Sequence, residues 1–211
     1  GFGSLTYDLE SNNVTSETIY DIASLTKVLS TLPVVMRLIS QKKISLDQNV
    51  TQFFPDFSGK FKEEVQIHHL LSHSSGLSAY IPFYKNKNIN SKTDILSYIL
   101  NSNISYKPGS ESNYSDLGFI LLEAIIERVT NNNLDEISKS WFYKPMKMAH
   151  TLYKPPLEWK NKIAPTERDT IYRKKLIHGE VHDENAYLMG GISGHAGLFS
   201  TSEDIAKLIS E

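Results

Sequence analysis

The stretch Tyr20-Asp21-Ile22-Ala23-Ser24-Leu25-Thr26-Lys27-Val28-Leu29 constrains this chain more than any other. Apolar residues recur from it at Leu25, Val28, Leu29, Leu32, Val35, Met36 and Ile39, the spacing of one buried helical face. The predicted helix runs to about Gln41, with a bend at Pro33, which lacks an amide to donate to the preceding turn. Ser24 stands where this helix begins and Lys27 follows one turn later, so hydroxyl and ammonium are neighbours. The positive end of the helix dipole favours negative charge developing on the serine. A lysine beside it is the proton acceptor that an activated nucleophile needs. Taken alone, the same four residues are more often a helix cap followed by a solvated lysine.

Elsewhere the pattern is mixed helix and loop. Gly1 to Leu9 is close to strand alternation, Ser11-Asn12-Asn13 signals a turn, and Val14 to Tyr20 returns as a short strand. Phe53, Phe54 and Phe57 read as packing residues, and Val65 to Leu71 as a short helix burying Ile67, Leu70 and Leu71. Ser91 with Asp94 caps a helix ending near Asn101, and Lys107-Pro108-Gly109 turns the chain toward Tyr114. Ser115 caps the most apolar helix, through Leu117, Ile120, Leu121, Leu122, Ile125, Ile126 and Val129, and Asn131-Asn132-Asn133 stops it. Leu134 to Phe142 is a further helix, Pro155 to Tyr187 reads as long ordered loops, and Thr201 caps a last helix.

Bulk properties narrow the partners. A formal net charge of −2 over 211 residues gives no reason to expect nucleic acid or an anionic membrane surface. Cysteine is absent, which removes disulfides, thiol nucleophiles and thiolate metal sites. No apolar run is expected to span a bilayer, and no signal peptide is visible. The opening Gly1-Phe2-Gly3 is that of a cut product or a partial sequence.

Five further segments fall in order behind the Ser24 motif. They are Leu70-Leu71-Ser72-His73-Ser74-Ser75-Gly76-Leu77, Tyr114-Ser115-Asp116, the pair Pro165 to Asp169 and His178 to Ala186, and Gly197-Leu198-Phe199-Ser200-Thr201. With Ser24-Leu25-Thr26-Lys27, the chain resembles the serine β-lactamase and penicillin-binding-protein superfamily over nearly its whole length. It is most similar to the branch of class C β-lactamases, D,D-peptidases and esterases, and within it to a penicillin-binding-protein-like esterase subgroup. The resemblance implies an α/β fold of the β-lactamase/transpeptidase type. Here it would be one incomplete domain over 1–211, dominated by helices over about 42–150, with N-terminal strands of an antiparallel sheet. An earlier strand, the C-terminal strands and the third motif would lie outside it.

The same resemblance implies a cofactor-free serine hydrolase, periplasmic or secreted, acting through an acyl-enzyme on esters, D-alanyl peptides or β-lactams. Ser24 would be the nucleophile, Lys27 the base and Tyr114 the second base or proton shuttle, with Asp116 and His195 lining the substrate site. Two departures stand out. Asp116 occupies a place where the family usually carries Asn, and a carboxylate only accepts where an amide also donates. His195-Ala196-Gly197 fits the bare third-motif pattern, but a capped helix follows at once, so His195 reads as a loop residue near the site. Without the third motif, half the oxyanion hole is missing and these residues alone are expected to be nearly inactive. The alternative is a non-catalytic ligand- or cell-wall-binding module on the same fold. His68, His69 and His73 do not make a metal site, because adjacent histidines face apart. His178, Glu180 and His182 share one face only if extended, and the blander reading is a loop whose charges pair with Arg168, Arg173 or Lys174.

Overall fold

The computed structural model describes residues 1–210. Strand β1 (Tyr20–Asp21) leads into a 3-10 turn at Ala23–Leu25, a π-helical segment at Lys27–Thr31, and helix α1 (Leu32–Ser40). The wider π turn changes the phase of the helix and moves the buried face away from the predicted one. Leu25, Val28 and Met36 are exposed, while Leu29, Val34, Val35 and Leu38 are buried. Thr26, Lys27, Ser30 and Thr31 turn inward with them. Their polar atoms are bonded: Leu198 N donates to Thr26 Oγ1, Thr31 Oγ1 donates to Gly194 O, and Ser30 Oγ meets Ser138 Oγ and the Tyr153 hydroxyl. Pro33 sits in the first turn of α1, where its missing amide costs little. Ala23–Ser40 is, among the described residues, the one stretch that passes for a membrane span by length and composition alone. Nearly half of it is buried inside the fold, the condition of a core helix.

Helices α2 (Ile67–Leu71), α3 (Lys92–Asn101), α4 (Asp116–Thr130) and α5 (Leu134–Ser138) follow. The last continues as a π-helical segment, Lys139–Tyr143. Ser91 and Ser115 cap α3 and α4 with their side chains, as the sequence predicts, and Asn133, expected only to stop α4, also caps α5. Helix α4 is buried on nearly all sides, and α1, α2, α3 and α5 pack around it. A helix apolar all round must be central. Asn131, in the left-handed conformation, ends it. Phe53, Phe54 and Phe57 close the same core.

Strand β2 (Leu152–Tyr153) precedes a hairpin of β3 (Glu167–Arg168) and β4 (Leu176–Ile177), then α6 (Glu184–Leu188), β5 (Leu198–Ser200) and α7 (Ser202–Ile209). The region predicted to be all loop therefore holds a hairpin and a short helix. Strand β5 is the centre of a three-stranded antiparallel sheet in the order β1-β5-β2. Tyr20 pairs with Ser200 and Asp21 with Phe199, which brings the residues before Ser24 alongside the Gly190–Gly197 run. Gly1 to Leu9 does not form the expected strand. Only Ser4 bridges to Asn13, and Phe2, Tyr7 and Leu9 are fully exposed, because nothing among the described residues covers them.

The β3–β4 hairpin is closed by one carboxylate. Asp169 accepts the backbone amides of Arg173, Tyr172 and Ile171 at 2.6, 3.0 and 2.8 Å. These bonds, the Arg173 amide first, hold its pKa down to about 2 from 3.8. A depressed carboxyl stabilises the fold above its unfolded pKa and loses that contribution as pH falls through the folded one. The protection of the Ile171–Arg173 amides, taken against their intrinsic exchange rate at each pH, is therefore expected to fall between about pH 4 and pH 2, and Asp169→Asn to flatten that dependence.

Candidate active site

Asp21 builds the turn that presents Ser24. One carboxylate oxygen accepts the Ala23 amide at 2.8 Å, and the other accepts the His182 amide at 2.7 Å. Burial pushes the Asp21 carboxyl up, against the opposing pull of those two amides. Ala23 is left-handed, with φ of 45°, a conformation that costs alanine on the order of 1–3 kcal/mol and that such sites hold by over-determination. Ser24 is left exposed and does not cap the helix with its side chain. Its Oγ instead accepts from Lys27 Nζ at 3.0 Å.

Lys27 is buried, its side chain only 3% exposed, and its ammonium makes two hydrogen bonds and one ion pair. Besides Ser24 Oγ, it donates to His195 O at 3.1 Å and lies 2.7 Å from Asp116 Oδ1 as an ion pair. Its charge faces the rings of Tyr114 and Phe119, at 4.7 and 5.7 Å from their centroids. Tyr114 is half exposed beside it and precedes the Ser115 cap, whose Oγ accepts the Gly118 amide and donates to Ser78 O. The structure thus brings Ser24, Lys27, Asp116 and the Tyr114 ring together, with the exposed hydroxyl over the buried ammonium. Tyr114 meets Lys27 through the face of its ring, and its hydroxyl makes no hydrogen bond among the described residues.

His195 is placed differently from the substrate-lining role assigned to it. Its side chain is buried, with Nδ1 2.7 Å from Ser193 Oγ and Nε2 2.9 Å from Asp183 Oδ1, and only its carbonyl reaches the site. His73, expected only in a polar turn over the site entrance, takes a direct part in the site. Its Nδ1 accepts the Ser115 amide at 3.0 Å and its ring stacks on Tyr114 at 4.4 Å. Burial, then the nearby Lys27 charge, push its pKa down, so it stays a neutral acceptor there. Its left-handed backbone, φ of 56°, aims it there, a feature no motif reveals.

His178, Glu180 and His182 diverge. His178 Nε2 faces the carbonyls of Lys160 and Ile163, Glu180 pairs with Lys175, and His182 Nε2 lies 2.6 Å from Glu167. Arg173 bonds the carbonyls of Val181 and His182, fixing the loop that donates to Asp21. A surface concavity of about 720 Å³ between the Ser78–Asn90 loop and α3 includes neither Ser24 nor Lys27.

A central apolar helix, a small antiparallel sheet and a lysine-bonded serine in the turn after β1 make up an α/β architecture of the β-lactamase type. The chain belongs to the Beta-lactamase family, whose model matches residues 2–211. Its relatives include a "Putative D-alanyl-D-alanine carboxypeptidase" of Salmonella agona, 37% identical over 92% of this chain and 51% of its own length. The Escherichia coli protein of the same description is also 37% identical, over 92% and 50%. The chain therefore spans about half the length of these curated relatives. Among solved structures, an octameric penicillin-binding protein homologue from Pyrococcus abyssi matches with a TM-score of 0.75 and 26% identity, over 94% of this chain and 46% of that one. FmtA from Staphylococcus aureus shares the fold, with a TM-score of 0.76 and 22% identity over 100% and 56%.

Asp21→Ala would leave the Ala23 and His182 amides without their acceptor. The Ala23 amide is exposed and can turn to water, so the loss falls mainly on the part-buried His182 amide and is expected to destabilise by about 1 kcal/mol, read by chemical denaturation. An unchanged midpoint would show that Asp21 does not hold the turn.

Proposed function

We propose that the full-length protein is a cofactor-free serine acyl hydrolase that works through an acyl-enzyme on Ser24. The observation that carries this reading is the exposed Ser24 Oγ held 3.0 Å from a buried lysine nitrogen. The attack uses Lys27 as the amine, its ammonium proton having passed to Asp116, 2.7 Å away: Oγ bonds to the substrate carbonyl carbon as its own proton passes to Lys27. The oxyanion takes the Ser24 amide as one donor. Tyr114, at the open edge of the site, passes a proton to the leaving group, and water then releases the acyl chain from Ser24. Esters, D-alanyl peptides and β-lactams all suit this sequence of steps, and the names of the relatives favour the second.

Asp116 tilts the preference toward activated esters. It pairs with Lys27 through one oxygen and offers no amide donor to a substrate amide. The same ion pair is the observation that favours a non-catalytic binding module, because it engages the ammonium beside the serine.

Nitrophenyl esters and a fluorescent penicillin, tested on the full-length protein, separate the two. Ser24→Ala is expected to abolish both ester turnover and covalent labelling. A variant as fast as the parent would remove Ser24 from the reaction. Asp116→Asn is expected to raise penicillin acylation relative to ester hydrolysis by about ten- to a hundredfold, the worth of one hydrogen bond to a charged group. No change in that ratio would sink the specificity argument alone.

A further inference from the structure

Behind Lys27 lies a second set of buried polar groups that acyl transfer at Ser24 leaves unused. Glu123, seven residues after Asp116 on the same face of α4, is completely buried. Its Oε1 receives Lys92 Nζ at 2.6 Å, and its Oε2 accepts the Gly194 amide at 2.9 Å and the Ser193 hydroxyl at 3.2 Å. Ser193 Oγ is also 2.7 Å from His195 Nδ1, and His195 Nε2 is 2.9 Å from Asp183 Oδ1.

Serine, histidine and aspartate in this order have the composition of a second catalytic triad. They are not one, because Ser193 is inaccessible and its hydroxyl is already committed to Glu123. The output of the network is instead a backbone position. Gly194 O accepts Thr31 Oγ1 at 2.7 Å, and His195 O accepts Lys27 Nζ at 3.1 Å. The loop lies so close to α4 that a Cβ on Gly194 would come within 2.3 Å of Phe119 O.

We propose that Glu123 is a positioning residue for Lys27. It acts through Gly194 and Ser193 to fix the His195 carbonyl that holds the ammonium against Ser24. Helix α4 then sets two partners of the lysine, Asp116 directly and His195 O through the loop. The inference rests on the reading of Ser24 as nucleophile.

The test compares two double variants of the full-length protein. In Glu123→Leu with Lys92→Met, the Glu123–Lys92 pair is replaced by apolar groups of similar volume, and the loss of the Lys92–Glu127 pair is common to both double variants. In Glu123→Gln with Lys92→Met, the amide oxygen still accepts the Gly194 amide. Two quantities are read: the rate of Ser24 acylation by a fluorescent penicillin or nitrophenyl ester, and hydrogen exchange over Ser193–Gly197. The Leu pair is expected to acylate about ten- to a hundredfold more slowly with KM little changed, and to exchange faster over that segment. The Gln pair is expected to recover most of both. Ser193→Ala, which removes no charge, is expected to give the same changes at smaller amplitude, and it stands in for the Leu pair if that does not fold. A folded Leu pair that acylates within about threefold of the parent overturns the proposal, as does a Gln pair no better than the Leu pair. If Ser24→Ala hydrolyses esters like the parent, the nucleophile assignment fails on its own. Exchange then decides Glu123: faster exchange that the Gln pair reverses supports it, and unchanged exchange refutes it.

Discussion

The structure depends on one buried ammonium. A lysine taken out of water is costly unless its charge is paired and its donors are used. Lys27 meets both conditions with partners from three separate parts of the chain: Ser24 in its own turn, Asp116 at the head of α4, and His195 O from the loop before β5. Each partner must arrive for the others to be worth having, so the site and the local fold are one solution to one electrostatic problem.

Helix α4 is what brings the distant partners in. Its apolar surface places it at the centre of the helical layer, and its Ser115 cap fixes where it starts. The start decides where Asp116 and Tyr114 stand, and His73 reinforces it from below through the Ser115 amide and the tyrosine ring. Two turns later, Glu123 reaches the opposite side of the Lys27 environment. Between these points lies Phe119, whose ring covers the ammonium and whose carbonyl leaves room only for glycine at 194. Packing and polar contacts therefore enforce the same register.

The turn at Ser24 is held from the other direction. Asp21 ties it to the His182 loop, which Arg173 in turn anchors through the carbonyls of Val181 and His182. The β1–β5 pairing lies beside this link, so the strained Ala23 is supported by strand, loop and carboxylate together. This explains why a region without periodicity is nonetheless ordered: its many polar groups are spent on backbone amides and carbonyls, which an alternation count cannot detect.

Capped helices were legible in the sequence because their signals are local. Ser91 and Ser115 each bond an amide three residues on, and the apolar run after Ser115 could be little else. Ser24 and Lys27 were legible for the same reason, being one turn apart. The buried face of their helix was not, because a π turn is set by what packs on it, and Thr26, Ser30 and Thr31 turn inward only because a distant loop supplies their partners. Strand β5 escaped notice because three residues carry no period, and they become a strand only when β1 and β2 come alongside. His195, expected as a loop residue lining the substrate site, serves through its carbonyl, and Glu123 belongs to no sequence motif. The sequence by itself determined the helices, their caps and the serine–lysine pair, all products of contacts within a turn. Tertiary structure alone decided which polar groups face inward, because burying a charge is settled by partners that lie as many as 168 residues away along the chain.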